Sequence, residues 1–462
     1  MDETTAWNWA EAEFGHAQLG DQRRTRRLVR LAHDAVRRPR GTVTGVVDGS
    51  AEREGAFRLL ENEAVEAAQI GRASHRATLE RASGQRWVWV SVDQSTISVV
   101  DREGRKGLGK IGAKRRRGLE VMSALAIEPR GVVLGLVGQQ WWRRDDAKAP
   151  DYYRDRRPVE QRESDLWRRT MADCCALLAE AEQPIRPWFQ LDRGGDYWRV
   201  FEFAARCSGC WLTVRSAYDR RVVGSDRKLR QTVRSSKVVA RYSLPVAARR
   251  DGRGKMRQAR QAQLSVRYAP VRLRLAVRTA NEMTVEVTAV HVRERRAPKG
   301  EAIEWVLLTT WPVRNADDAV QVVRGYSQRW KVEEFHRSWK AGGCQLQRSQ
   351  LRTMAALQRW ATLLAAVAAR AERLKNLSRQ RPNAPASSEL SRAEIDAAIV
   401  LSRNRKFKPG QQLTLGQAVT LVAEVGGYTG RSSGGPPGAT TIRRGLDLVT
   451  ASAAVVEGLK KM

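Results

Sequence analysis

Residues 87–92 read Trp-Val-Trp-Val-Ser-Val, an almost unbroken β-branched and aromatic run that stops at Asp93. A strand without polar alternation is buried on both faces, so the chain must supply a packing layer on each side of a sheet. VMSALAIEP (121–129) and GVVLGLVGQQWW (131–142) look like two further strands. DLWRRTMADCCALLAEAE (165–182) has helical character, and PWFQLD (187–192) is another short buried strand. Strands interleaved with helices indicate an α/β domain.

Two of these runs end in a carboxylate, Asp93 after WVWVSV and Asp192 after PWFQL. A charge placed directly after a fully apolar strand is costly to bury unless it is paired or bound to a metal. A single strand-end aspartate can equally be a helix cap or a turn former. A third acid stands in YSQRWKVEEFHRSWKAGG (326–343). On one continuous α-helix, Tyr326, Arg329, Glu333, Arg337 and Lys340 fall within roughly 80° of one another. Val332, Phe335 and Trp339 form a separate apolar stripe, so the helix can pack on one side and present charges on the other. Open α/β sheets gather ligands at the carboxyl ends of their strands. Two strand-end aspartates and one helical glutamate can thus converge on two Mg²⁺ ions about 3.5–4 Å apart. Oxygen donors suit hard cations.

The net charge of +33, from 83 Lys and Arg against 50 Asp and Glu, points to a phosphate-rich partner. The basic residues are spread over the whole chain rather than gathered in one amphipathic anchor, which disfavours a membrane surface. LGDQRRTRRLVRLAHDAVRR (19–38) reads as a helix capped by Asp21, with Leu28, Leu31 and Val36 on its apolar face. Its other side carries Arg23, Arg24, Arg26, Arg27 and Arg30, either a solvated face or a phosphate-contacting one. Residues 217–260 hold 14 Lys and Arg against three Asp and read as part of a basic β insertion. A long helix over Met354–Leu374 precedes SRQRPNAPASSELS, read as an exposed loop. Five cysteines are too few and too odd for a disulfide framework, which fits a reducing cytoplasm. The single CxxC, Cys207 to Cys210, has neither a second CxxC nor a close His pair, which argues against zinc.

The chain resembles the insertion-sequence-4 family of cut-and-paste DNA transposases. Tyr326, Arg329, Glu333 and Lys340 meet the family signature Tyr-x2-Arg-x3-Glu-x6-Lys in full, and the likeness continues through WKVEEFHRSWK. LGDQRRTRRL and EGAFRLLENEAV resemble the family's N-terminal DNA-binding domain, and VGGYTGRSSGGPPG its C-terminal dimerisation region. GLGKIG and GQQWWRRDD lie between the first two acidic motifs. Two departures stand out. The first motif is Asp93-Gln94-Ser95-Thr96, where relatives often have Asp-Thr-Thr. The second is Asp192-Arg193-Gly194-Gly195-Asp196 in place of Asp-Arg-Glu-Ala-Asp, which loses an acid and gains flexibility.

The resemblance implies an RNase H-like α/β catalytic core with a basic β-rich insertion. Helical domains would flank it: a DNA-binding one over 1–70, the catalytic domain over 71–374 with its insertion at about 216–304, and a dimerising one over 375–462. Asp93, Asp192 and Glu333 would be the catalytic metal ligands, holding two Mg²⁺ with Mn²⁺ as a substitute. Tyr326, Arg329, Arg337 and Lys340 would hold DNA-end phosphates, with Arg215 close by. Trp305 would stack on a flipped base, its alternative being a core aromatic; Arg24, Arg27 and Arg58 would touch the transposon end. Asp196 reads as a structural or capping residue, and His336 as an orienting side chain near the site. The implied partners are double-stranded DNA, as paired ends and target, and a second copy of the chain. A non-catalytic DNA-binding relative and a plain RNase H-like nuclease remain the competing readings.

Overall fold

The structure is a computed structural model that describes residues 3–101, 104–111, 116–144, 158, 162–246, 249–250, 256–275, 283–298, 300–402, 404–430 and 436–460. Asp145 and Asp146 of the GQQWWRRDD segment, residues 431–435 of the expected dimerisation segment, and parts of the basic insertion lie outside this set.

The chain opens with helices α1 (Glu3–Phe14), α2 (Gln22–Arg37), α3 (Val43–Val46), α4 (Ser50–Glu61) and α5 (Ala67–Arg81). Strands β1 (Trp87–Ser98), β2 (Gly109–Ile111), β3 (Arg116–Ile127) and β4 (Val133–Trp142) lead to α6 (Leu166–Ala179). Next come β5 (Arg186–Leu191), α7 (Trp198–Arg206), β6 (Trp211–Arg215) and α8 (Leu229–Ser235). The insertion is β7 (Ala240–Val246), β8 (Arg249–Arg250), β9 (Met256–Arg257), β10 (Arg260–Leu275) and β11 (Met283–Glu294), followed by β12 (Glu304–Thr309). The chain then runs through α9 (Ala316–Gln328), α10 (Trp330–Lys340), α11 (Met354–Gln380), α12 (Arg392–Ser402), α13 (Leu415–Val425) and α14 (Ala439–Lys460).

A ten-stranded mixed sheet runs in the order β2-β3-β1-β5-β6-β12-β11-β10-β7, with β4 paired to β3. Strands β1, β5 and β6 are mutually parallel, and the remaining pairings are antiparallel. Both faces are covered, as the unalternating apolar run of β1 requires. Val88, Val90 and Val92 point toward α6, α7 and α8, in a core with Met171, Phe201 and Val233. Trp89 and Ile97 point the other way, toward α9, α10 and α11 and a core that continues into the N-terminal helices. In the basic insertion β7, β10 and β11 extend the same sheet, while β8 and β9 pair as a separate two-stranded sheet.

Asp21 caps α2 as expected, its side chain accepting from the Arg23 amide, and Leu28, Leu31 and Val36 are buried. Two helices differ from the sequence reading. The Tyr326–Lys340 segment is two helices, because the amide of Arg329 bonds the carbonyl of Tyr326, only three residues back, and closes a tighter turn. Helix α11 runs on to Gln380, and a short 3₁₀ turn at Ala386–Ser388 buries Ala386, so only part of SRQRPNAPASSELS is exposed loop. Helices α5 and α11 also run across the domain limits expected at 70/71 and 374/375. Among the described residues no helix is long and apolar enough to cross a membrane.

Helix α11 ties the N-terminal helices to the sheet. The Arg359 guanidinium donates to the carbonyls of Leu60 (2.6 Å) and Val65, and Trp360 Nε1 to that of Gly41 (2.8 Å). Arg359 is buried, so its loss strands two carbonyls away from water. Arg359→Ala is expected to destabilise the fold by about 2–4 kcal/mol in urea unfolding. It should also speed amide hydrogen exchange in α4 and in the turn before α5.

Candidate active site

Strand register sets the floor of the site. In the parallel pair β1–β5, Trp89 lies opposite Trp188 and Ser91 opposite Gln190; in β5–β6, Trp188 lies opposite Trp211 and Gln190 opposite Thr213. Side chains alternate with a period of two, so the next residues on this face are Asp93, Asp192 and Arg215, one from each strand. Three layers result. The lowest is a tryptophan cluster in which Trp188 stacks on Trp311 with ring centroids 4.1 Å apart. Above it is a buried polar row, where Trp188 Nε1 donates to Thr213 Oγ1 (2.9 Å) and Thr213 and Thr309 share a hydroxyl hydrogen bond (2.9 Å). The charged row lies at the strand ends.

Glu333 reaches this row from the first turn of α10. That helix is fixed by its apolar stripe, Val332, Phe335 and Trp339, all fully buried. Its partner α11 adds polar anchors: Trp339 Nε1 donates to the Ala361 carbonyl (2.9 Å), Ser338 Oγ to Glu372 (2.5 Å), and Lys375 Nζ to Glu334 (2.9 Å).

Arg329 joins the two elements. Its guanidinium donates to Glu333 Oε1 at 2.5 Å and lies 3.8 Å from Asp93 Oδ2. It is buried, and burial opposes its charge, but Tyr326, Asp93 and Glu333 outweigh that and hold its pKa above the ordinary value. Asp93 is pushed up to about 7 by burial and by repulsion from Asp192 and Glu333, against the pull of Arg329. Asp192 and Glu333 thus each act on Asp93. The three acids do not form a closed cluster: the group of three or more ligating side chains found within 4.8 Å of one another, among the described residues, is made of cysteines. Asp192 Oδ1 accepts from the Gly194 amide (2.7 Å).

These residues fit a divalent cation. Their donors are hard carboxylate oxygens, and the repulsion borne by Asp93 is what a cation between the acids would relieve.

The other candidate residues surround this row at varying depth. Lys340 Nζ donates to Ser95 Oγ (2.9 Å) on the Asp93 face, and Arg337 is exposed. Arg215 is half-buried; burial lowers its pKa, and the Tyr326 side chain lies beside it. Tyr326 and Arg329 are buried rather than displayed, contrary to the expectation of an open charged face. Trp305 is 6% exposed and packs edge-on to Tyr326 at 5.1 Å, so the chain shows it as the core aromatic. Arg24 donates to the Leu19 carbonyl (2.9 Å), while Arg27 pairs with Glu52 and exposed Arg58 with Glu54.

Asp196 is structural, accepting from the Ala217 amide (2.6 Å) and from Arg220 (2.7 Å). The glycines before it do not act as a flexible link. A Cβ at Gly195 would meet Leu191 Cβ at 2.7 Å, and one at Gly194 would meet Trp167 at 3.0 Å. They are close-approach positions, which corrects the expectation of flexibility.

The sequence reading missed Glu120, a buried acid on β3. It accepts from Thr96 Oγ1 (2.8 Å) and Gln94 Nε2 (3.3 Å) and pairs with Arg144 (3.3 Å). Gln94, one of the departures in the first acidic motif, is thus occupied together with Thr96 on the opposite face of β1 from Asp93. Three parallel pentapeptides carried the signal for the charged row: Trp89–Asp93 (WVSVD), Trp188–Asp192 (WFQLD) and Trp211–Arg215 (WLTVR). Each runs aromatic, apolar, polar, apolar, charged.

Two family models match the chain: residues 6–65 match Transposase DNA-binding, and residues 210–369 match Transposase DDE domain. The chain thus carries a transposase DNA-binding domain and a DDE transposase domain, and together they support a DNA transposase with DNA as its partner. DDE transposase domains generally use divalent metal ions. The second match contains Arg215, Trp305, Tyr326, Arg329, Glu333 and Lys340; Asp93 and Asp192 precede it along the chain.

His336 is expected from the sequence as an orienting side chain near the site. It is buried beside Phe335 and Trp339, and burial together with Lys340 depresses its pKa from 6.5 to about 3. The unfolded chain takes up that proton first, so stability is lost as pH falls from about 6.5 toward 3. In urea unfolding over this range, His336→Leu should lose stability less steeply than wild type, by up to about 1.4 kcal/mol per pH unit.

Proposed function

We propose that this protein is a cut-and-paste transposase of the insertion-sequence-4 family, most like the transposase of transposon five, with an RNase H-like catalytic core. It would act as a homodimer on paired transposon ends. What supports the reading is the placement of Asp93 and Asp192 at the ends of two neighbouring parallel strands, with Glu333 acting on Asp93 from the first turn of α10 and the other signature residues Tyr326, Arg329 and Lys340 nearby. The interleaved topology, with its parallel trio of strands flanked by antiparallel ones, supports the core assignment.

In this reading Asp93, Asp192 and Glu333 hold two Mg²⁺, or Mn²⁺ in its place. When bound, the ions activate water or a 3′-hydroxyl and steady the leaving oxygen of an in-line phosphoryl transfer. The chain's own residues position the DNA. Lys340 and exposed Arg337 hold end phosphates at the mouth of the site. Arg329, Tyr326 and Arg215 form a deeper cationic and phenolic group that receives the phosphate next to the cut. Such fixed cations lower the barrier without reorganising during the reaction. A first-strand nick, attack by the freed 3′-hydroxyl to form a hairpin, hairpin opening and strand transfer would then occur in order. Trp305 reaches a flipped base only by leaving its contact with Tyr326.

The substrate for a test is the DNA flanking the coding sequence, cloned on both sides of a marker and offered with Mg²⁺ and a target plasmid. Wild-type protein should give hairpin-ended and joined products. Asp93→Asn, Asp192→Asn and Glu333→Gln should each reduce these to background while still shifting the end DNA on a gel. Cutting without hairpins or joined products would mark a plain nuclease. End binding without any cutting by wild type would mark a non-catalytic regulator.

A second measurement addresses the N-terminal helices. Arg24, Arg27 and Arg58 would exchange their present carbonyl and carboxylate partners for phosphates. Exposed ion pairs of this kind contribute little to stability, so giving them up costs little. Replacing all three by Ala should weaken end binding and flatten its log–log salt dependence by up to about 2.7, near 0.9 per lost phosphate contact.

A further inference from the structure

The structure brings a third cysteine to the CxxC turn. Cys207 follows α7, with its amide on the Phe203 carbonyl (2.9 Å), and the Cys210 amide bonds back to the Cys207 carbonyl (3.4 Å). This tight turn sets both sulfurs on one side. Helix α6, packed against α7 across the back of the sheet, adds Cys175 from its last turn, with Cys175 Sγ 3.9 Å from Cys207 Sγ. The three sulfurs all lie within 4.8 Å of one another. The neighbouring Cys174 is turned away, its thiol on the Val137 carbonyl at 3.6 Å. Sequence spacing hid the arrangement because the third ligand comes from a helix 32 residues upstream of the turn.

We propose that Cys175, Cys207 and Cys210 form a structural Zn²⁺ site, with solvent as the fourth ligand, separate from the carboxylate site. Distance selects this over a disulfide. With Zn–S bonds of about 2.3 Å, tetrahedral geometry puts neighbouring sulfurs about 3.8 Å apart. A disulfide needs about 2.05 Å between its sulfurs, well short of the 3.9 Å observed between Cys175 and Cys207. Soft thiolates select zinc over magnesium. Cys175 and Cys207 are only half-buried, which leaves an open side for water. Three thiolates and Zn²⁺ carry a net charge of −1. Arg186 supplies the counter-charge: it acts electrostatically on Cys210, stacks over Trp211 at 3.8 Å and donates to the Ser208 carbonyl at 2.5 Å.

The site joins α6, α7 and the entry to β6, and so fixes the amino end of the strand that ends in Arg215. Five residue steps along the strand take Cys210 to Arg215, about 17 Å, so this metal does not reach the charged row.

The test titrates Co²⁺ into reduced, metal-stripped full-length protein. One Co²⁺ per chain should give a thiolate-to-cobalt charge-transfer band and the intense d–d bands of tetrahedral cobalt, both bleached by Zn²⁺. Cobalt held by carboxylates gives no such charge-transfer band, which separates this site from the acids. Zn²⁺ should also protect Cys175, Cys207 and Cys210 from alkylation, read by peptide mass spectrometry. Cys175→Ser should abolish the band, whereas Cys174→Ala should keep it. If Cys175→Ser fails to fold, the protection pattern in wild type decides. The proposal is overturned if folded, reduced wild-type protein shows neither band nor protection, or if the protein purified without reductant carries a disulfide within this trio in place of zinc.

Discussion

The parallel register of β1, β5 and β6 is the constraint on which the rest of the site depends. Once Trp89, Trp188 and Trp211 align, the alternation of side chains fixes every row toward the strand ends. The polar row above the tryptophans must satisfy its own hydrogen bonds, and the charged row must come next. A slip of one residue in β1 or β5 would put a tryptophan into the opposite core and aim Asp93 or Asp192 toward α6. The tryptophan cluster therefore does more than fill volume. Its size makes register errors expensive, and the position of two acids is a consequence of that cost.

Register alone yields two acids and an arginine, and the third acid depends on a buried cation. Arg329 sits where α9 tightens into α10, between Asp93 and Glu333. A buried guanidinium without partners would be strongly destabilising, and three neighbouring carboxylates without a cation would repel one another. Each solves the other's problem in the DNA-free chain. The same pairing explains why the helix breaks there: the tighter turn carries Arg329 inward while α10 restarts with Glu333 in its first turn. On the proposed function, a metal and a DNA phosphate would compete for these same two partners, the metal for the acids and the phosphate for the guanidinium.

Much of the site is legible in the chain. WVWVSV and PWFQL declare buried strands, each aspartate declares an unusual end to one, and the apolar stripe of α10 is readable down to Val332, Phe335 and Trp339. The features that escape have physical causes. A helical wheel carries no information about a tightened turn, so it draws Tyr326 and Arg329 on an open face when they are buried. Gly194 and Gly195 suggest freedom by composition, whereas Leu191 leaves no room for a Cβ at Gly195 and Trp167 crowds one at Gly194. Glu120 is invisible because it lies within an apolar strand run, and its partners Thr96, Gln94 and Arg144 all come from other segments of the chain. The basic insertion shows the right strands, but nothing in local alternation says whether a strand extends an existing sheet or begins a new one.

On the proposed function, helix α11 would link the chemistry to the reading of DNA. One stretch of it, around Arg359 and Trp360, holds the N-terminal helices through backbone carbonyls at Gly41, Leu60 and Val65. The next turns, from Ala361 to Lys375, hold α10 through Trp339, Ser338 and Glu334. Both sets of contacts are largely buried, so the two attachments share one rigid rod rather than a flexible linker. A DNA end bound on the arginine face of α2 would have its position relative to Glu333 set by the length and phase of that rod. Binding energy at the N-terminal helices could then orient the scissile phosphate directly, the kind of positioning on which phosphoryl transfer chiefly relies.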